Sequence, residues 1–458
     1  MFTKMGADNI RMLLADAAER GIRYLEGVGA RSVYPDARQI GRLEEALNEP
    51  LPDTPTDDRD VLAFIDEFGS PATVASAGGR YFGFVTGGAL PATVAANWLA
   101  GAWDQNGFSF LGSPAVALFE EASLRWIKDV LGLPPDAEGA LVTGATMANF
   151  TCLASARHEV LKRAGWNVES QGLFGAPEIT VIVGAEVHAT ILKVLGLLGL
   201  GRDRVTRIAV DEQGRMRADL IANIEGPTMI CLQAGNVNSG AFDPAEAIIP
   251  GARANGAWVH VDGAFGLWAK ASGDLAPLAG GFEAADSWAT DAHKWLNVPY
   301  DCGAAFVRSP EALRQAMSMS ASYLLLGDHR DAIDVTPGGS RRARAIEVWA
   351  ALKSLGRSGL AELIERNCSQ ARWLADQLGK AGADVRNDVV LNQVVVSFGD
   401  DDRTTNTISA LQESGVCWCG GTNWQNRQAM RISVSSWATS QDDVEIALDA
   451  ILKAWQGQ

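Results

Sequence analysis

Lys294 lies in the segment Trp288-Ala-Thr-Asp-Ala-His-Lys-Trp295, and Asp262 closes the earlier segment Trp258-Val-His-Val-Asp262, which continues as Gly-Ala-Phe265. The earlier segment reads as a buried strand ending in a carboxylate. A lysine just past one apolar strand and a carboxylate at the end of another can meet in a parallel sheet, whose ligands collect at the carboxyl ends of the strands. A buried amine of this kind condenses with a carbonyl, and a carboxylate beside it can hold a protonated ring nitrogen. With a histidine at hand, the pair suits a Schiff base to pyridoxal 5'-phosphate (PLP). Either residue alone fits an ordinary α/β domain equally well. The spacing of the two together argues for a site.

Two further groups fall at strand ends, and a third lies within a strand. Gly144, Ala145 and Thr146 sit between a strand and a helix expected to start near Met147, where free backbone N–H groups attract a phosphate. His188 follows the strand 179–183. His260 shares a strand face with Asp262 by alternation, so a hydrogen bond toward that carboxylate and plain core packing are both open to it.

Asp291-Ala-His-Lys-Trp295, His260-Val-Asp-Gly-Ala264 and Thr143-Gly-Ala-Thr-Met-Ala-Asn149 together resemble the group II PLP-dependent amino-acid decarboxylases, which include the aromatic amino-acid, glutamate and histidine decarboxylases of fold type I. The likeness runs from roughly Arg80 to Trp349. It implies that Lys294 carries PLP, that Asp262 pairs with the pyridine nitrogen, that Ala264 lies under the ring and that His188 stacks on it. It also implies phosphate contacts from Gly144, Ala145, Thr146 and His293, although the family usually reads Gly-Gly-Ser where this chain has Gly144-Ala-Thr146. Several decarboxylases carry asparagine at the position of Asp291, where an aspartate would repel phosphate. Thr290 or Ser287 is therefore expected to do that work. The loop from Asn236 resembles one near the O3' side of the cofactor, with Asn236, Asn238 and Ser239 as donors.

By the same resemblance Phe84, Asn106 and Phe108 face the substrate, an L-amino acid that loses CO2 to give an amine. Core packing explains the phenylalanines as well. Family decarboxylases often deliver a proton to Cα from a loop tyrosine, yet the corresponding loop here, about 324–339, has none. Tyr323 just before it and His329 within it are the candidates, reaching in from a partner subunit. The motifs do not choose decarboxylation over an aldehyde-forming reaction, transamination or carbon–carbon cleavage on the same fold. Nor do they exclude a weakly catalytic PLP-binding protein.

These residues need a large scaffold. The chain has 458 residues, 47% hydrophobic and 21% charged, which fits a soluble globular protein of two or three lobes. Its net charge of −16 argues against nucleic acid or an anionic membrane as partner. The start lacks a signal-peptide core and no apolar run approaches a membrane span, so a cytoplasmic enzyme is expected. Cysteines 152, 231, 302, 368, 417 and 419 show no Cys-x-x-Cys, so they read as structural thiols and no metal site is expected.

Helical periodicity covers 8–27, 38–47 and 57–68, and again 91–103 and 114–132, where Pro114 suits a first helical turn. From residue 139 seven short apolar strands alternate with helices, which argues a mostly parallel sheet covered on both faces. The expected architecture is α/β, with the fold-type-I transferase fold that the resemblance implies. It comprises a helical N-terminal arm (1–78) packing on a partner subunit, a large PLP-binding domain (79–345) and a small C-terminal α+β domain (346–458). A helix at about 343–356 joins the last two, and strands at 389–398 and 430–435 precede a closing helix, 440–455. A homodimer is expected.

Overall fold

A computed structural model describes residues 7–319 and 329–458. Its centre is a seven-stranded sheet: β1 (Glu138–Val142), β2 (Thr180–Gly184), β3 (Val205–Ile208), β4 (Thr228–Gln233), β5 (Trp258–Asp262), β6 (Ser287–Asp291) and β7 (Gly303–Val307). The order is β1-β7-β6-β5-β4-β2-β3. Strands β3, β2, β4, β5 and β6 run parallel, while β7 lies antiparallel between β6 and β1. Every residue of β4 through β7 is buried, as strands covered on both faces require. This is the α/β, fold-type-I arrangement expected from the sequence.

Alternation assigns the two faces. Val259, Val261, Trp288 and Phe306 enter one apolar core, whereas Trp258, Ala289 and Ala305 enter the other. The helix Ala145–Arg163 covers the second face with Cys152, Leu153 and Ala156. His260 and Asp262, in step with Trp258, therefore point toward that helix.

The C-terminal sheet has four strands, β8 (Asp384–Val385), β9 (Gln393–Ser397), β10 (Gly420–Trp424) and β11 (Arg427–Ser433), in the order β10-β11-β9-β8 and antiparallel throughout. Gln425 and Asn426 both take left-handed φ, 52° and 60°, as a tight hairpin between β10 and β11 demands. The helix Ala345–Lys380 joins the two lobes and is broken at Gly356, whose φ of 59° no helix accommodates. Its first part (Ala351, Leu360, Ile364) packs into the core under the large sheet, and its last part (Leu374, Leu378) packs under the small one. At the other end of the chain, Phe82 donates its N–H to Trp418 O at 2.8 Å and accepts the N–H of Ser433 at 3.0 Å. The segment before Phe84 is thereby tied to the small lobe.

Candidate active site

The carboxyl ends of β4, β5 and β6 open into a cavity of about 310 Å³. Lys294, Asp262, His188 and the turn Gly144–Thr146 all line it, together with Phe84 and Tyr300. Four elements distant in sequence thus bring an amine, a carboxylate, an imidazole and a helix N-terminus to one space.

Lys294 sits on a tightly held turn past β6. The N–H groups of Ala292 and His293 both donate to Cys302 O at 3.1 Å. Trp295 Nε1 donates to the buried Asn367 Oδ1 at 3.0 Å. Asn297, with φ of 55°, donates from Nδ2 to Trp295 O at 2.9 Å and accepts the N–H of Trp437 at 2.8 Å. Gly87 packs against the backbone of the lysine itself, where a Cβ would fall 1.8 Å from Lys294 O. A lysine on so constrained a turn has its amine aimed, with freedom left only in its own methylenes.

Asp291 is the surprise of the site. Its Oδ2 lies 3.1 Å from Lys294 Nζ, and its Oδ1 accepts the N–H of Ala145 at 2.5 Å and stands 3.5 Å from His293 Nε2. The N-terminus of the helix Ala145–Arg163 thus spends one of its orphan donors on a carboxylate, leaving the N–H groups of Thr146 and Met147 for a ligand. Gly144, at φ 144°, gives that turn its shape, and a Cβ there would stand 3.0 Å from His293 Cε1.

Both histidines of the cavity are held neutral. Burial pushes the His188 imidazole below its usual range, and Lys294 and Arg431 push the same way against Asp262 and Asp291. Its Nδ1 accepts the N–H of Thr190 at 3.3 Å, which assigns any ring proton to Nε2. Burial also lowers His293, whose Nδ1 accepts the N–H of Cys302 at 3.1 Å. Asp262 receives two donors, Asn149 Nδ2 at 3.2 Å and the N–H of Ala264 at 3.2 Å.

Several expected residues stand elsewhere. Thr290 turns from the cavity and donates to Ala264 O at 3.5 Å, because alternation along β6 sends Asp291, not Thr290, inward. Ser287 likewise is engaged with His260, at 3.0 Å from its Nδ1. Asn236 folds its own loop, accepting the N–H groups of Asn238 at 2.8 Å and Ser239 at 3.2 Å. Asn236 Nδ2 donates to Glu186 Oε2 at 3.3 Å and Ser239 Oγ to Gln213 O at 2.6 Å, so both side-chain donors are engaged within the protein. Asn106 accepts the N–H of Arg341 at 3.0 Å at the surface, and neither it nor Phe108 lines this chain's cavity. His329 is exposed and stacks on Phe110 with ring centroids 3.6 Å apart. Tyr323 lies outside the described residues.

Three residues to which the sequence assigned no role belong to the site or its wall. Tyr300 lies with its ring 4.4 Å from that of His293 and its hydroxyl 3.4 Å from Thr86 Oγ1. Asn149, one turn into its helix, reaches Asp262. Arg431 of β11 donates to Val237 O at 3.1 Å beside the cavity and makes no ion pair among the described residues. Burial lowers its pKa from the usual guanidinium value.

PLP fits these residues. The cavity offers an amine for its aldehyde, a carboxylate for its ring nitrogen, a flat neutral imidazole for its ring and helix N–H groups for its phosphate. Among the described residues no cluster of potential ligands would hold a metal ion, and no helix is long and apolar enough to cross a membrane.

Comparison with known proteins agrees with this chemistry. Residues 42–398 match the family model described as the pyridoxal-dependent decarboxylase conserved domain. An aromatic-L-amino-acid decarboxylase of Bacillus atrophaeus is 25% identical, over 82% of this chain and 79% of that protein. The acidic amino acid decarboxylase GADL1 of Mus musculus is 29% identical, over 66% of this chain and 56% of its own length. A crystal structure of Oryza sativa TDC with PLP and tryptamine superimposes with a TM-score of 0.90 at 23% identity, covering 100% of this chain and 99% of that one.

Proposed function

This chain belongs to the pyridoxal-dependent decarboxylase family, and from that premise we propose that Lys294 holds the cofactor covalently while Asp262 faces its ring nitrogen. The enzyme is a PLP-dependent carboxy-lyase acting on an amino acid. One observation carries the residue assignment: Lys294, Asp262 and the first turn of Ala145–Arg163 line a single cavity. Bound PLP supplies an electron sink for the pair released when the bond from Cα to the carboxylate breaks.

The protein's own groups divide the remaining work. Lys294 would hold the cofactor through its amine, which the tight turn past β6 aims into the cavity. Asp262, an acceptor held by two donors, keeps a proton on the ring nitrogen. His188 and the small Ala264, both lining the cavity, would flank the cofactor's ring. Thr146 and Met147 N–H groups receive the phosphate, with His293 beside them. Arg431, half-buried beside the cavity, is a cation available to an anionic group of the substrate.

A homodimer is part of this reading. Ile10, Leu14 and Ile22 on the helix Ala7–Gly27, and Trp98, Trp103 and Leu111 beyond, are large apolar side chains left exposed on the single chain, as a subunit interface would use them. Asn106, Phe108 and His329, which do not line their own chain's cavity, would then serve the partner's. Six buried cysteines without a disulfide suit the reducing cytoplasm. The proton for Cα comes in this reading from a side chain at the cavity mouth, with Tyr300 the candidate within the same chain.

Borohydride reduction of the holoenzyme should leave a pyridoxyl group on Lys294, identified by peptide mapping. Screening amino acids for CO2 release gives the substrate, and the aromatic and acidic amino acids are tried first. A label on any other lysine would overturn the assignment.

A further inference from the structure

Alternate residues of β5 share a face, and on that face a file of polar side chains runs through otherwise apolar core. Trp258 Nε1 donates to Ser287 Oγ at 2.9 Å. Ser287 Oγ lies 3.0 Å from His260 Nδ1, the two residues being register partners across β5 and β6. His260 Nε2 lies 2.8 Å from Asn149 Oδ1, and Asn149 Nδ2 lies 3.2 Å from Asp262 Oδ2. Ser287, His260 and Asn149 are each 0% exposed, so bulk solvent does not reach the links.

The direction of the file is fixed from both ends. An indole N–H can only donate, so Ser287 Oγ accepts from Trp258 and has its single proton left for His260 Nδ1. At the other end a carboxylate can only accept, so Asn149 must present its NH2 to Asp262 and its oxygen to His260. An imidazole that accepts at Nδ1 and donates at Nε2 is neutral. Burial holds His260 in that form, at a pKa of about 3. Every link therefore donates toward Asp262, and the last one, with the Ala264 N–H on the other oxygen, leaves the carboxylate only accepting lone pairs to offer the cavity.

We propose that Asn149, His260 and Ser287 are positioning residues that lock Asp262 as an oriented, acceptor-only partner for the cofactor's ring nitrogen. The proposal rests on the assignment of Asp262 to that nitrogen. Asn149 also stands one turn beyond the N–H groups offered to the phosphate, so a single helix sets the phosphate and, through Asn149, the carboxylate. A broken link leaves a buried partner unsatisfied and frees Asp262 to turn or to take a proton.

The test uses holoenzyme loaded with PLP labelled with 15N in the ring. Wild type is first reduced with borohydride, and absence of a pyridoxyl group on Lys294 would overturn both the cofactor assignment and this proposal. In Asn149→Leu the nitrogen resonance should move toward that of an unprotonated pyridine. In the same variant kcat should fall ~10- to 100-fold with KM within about threefold. An unmoved resonance with wild-type kcat would overturn the proposal. His260 gives a second pair that stands even where Asn149→Leu does not fold. Gln keeps an N–H near the Nε2 position and should restore most of the signal and rate that Leu loses. Equal behaviour of His260→Gln and His260→Leu would mean that the file only fills space, and would overturn the proposal.

Discussion

Lys294 Nζ and Asp291 Oδ2 stand 3.1 Å apart, and the other oxygen of that carboxylate holds the N–H of Ala145. Asp291 thus occupies a position where a phosphate would also be drawn, at a helix N-terminus beside a cation. A bound phosphate must share that region with a like charge. Asn at 291 would keep an acceptor for Ala145 and lose the charge. Asp291→Asn should therefore bind PLP more tightly, by about tenfold or ~1.4 kcal/mol, as read by absorbance titration of the apoenzyme. Weaker binding would show that Asp291 helps the cofactor, through His293 or Lys294, more than it repels it.

Lys294→Ala should lose the borohydride-stable label and turnover together while still binding PLP without a covalent bond. Asp262→Ala should act differently. Without a counter-charge for the ring nitrogen, kcat should drop by at least about 100-fold, ~2.7 kcal/mol of transition-state energy, while PLP affinity changes far less. Near-normal turnover in Asp262→Asn would show that the reaction does not need a protonated ring.

The contrast between these residues and the others marks what a sequence can carry. Lys294, Asp262, His188 and Gly144 are legible because each follows a short apolar strand, and strand ends of a parallel sheet converge. The strands themselves are legible where they are buried on both faces, as β4 to β7 are. Strand β10, Gly-Gly-Thr-Asn-Trp, has no apolar run and alternates between half-buried and exposed up to its one buried residue, Trp424, so composition hides it. The break at Gly356 stopped the expected helix there, although a second helix continues to Lys380. Asn149 closes a quoted motif, yet its role was not legible, since only the fold brings it to Asp262 and His260. Arg431 and Tyr300 enter the site through tertiary packing that no spacing encodes. Thr290 was expected in the site because Asp291 would repel phosphate, yet it stands one residue away on β6 and so faces the opposite side.

Arg431 is a half-buried cation without a carboxylate partner among the described residues, and a partly desolvated charge is costly unless something anionic completes it. The substrate's carboxylate is the natural complement. Arg431→Gln should raise KM at least about tenfold, ~1.4 kcal/mol of lost binding, and leave the Lys294 label intact. An unchanged KM with weaker PLP binding would place its charge with the cofactor instead.

The source of the Cα proton can be read from products. Tyr300 lines this chain's cavity and His329 does not, while Tyr323, outside the described residues, is the candidate that the sequence offers. If Tyr300 is the donor, Tyr300→Phe should slow amine formation at least about tenfold and raise the share of aldehyde, with Tyr323→Phe and His329→Ala near wild type. The reverse pattern would assign the step to the partner's loop. Equal amine yields from all three would remove each of them from proton delivery.

Acid should unfold this protein in part through His260. Its folded pKa of about 3 lies below the usual value of about 6.5 in an unfolded chain. Between those two values the unfolded chain binds a proton that the folded chain refuses. The neutral buried imidazole therefore favours folding fully above pH ~6.5, and that contribution is lost as pH falls toward 3, at up to ~1.4 kcal/mol per pH unit. His188 and His293, also lowered by burial, add slope of the same sign. His260→Gln removes one titrating group without emptying its place, so its unfolding midpoint should fall less steeply than wild type from pH 6.5 to 4. Parallel curves for the two proteins would mean that His260 stays as hard to protonate in the unfolded chain, or is as easily protonated in the folded one.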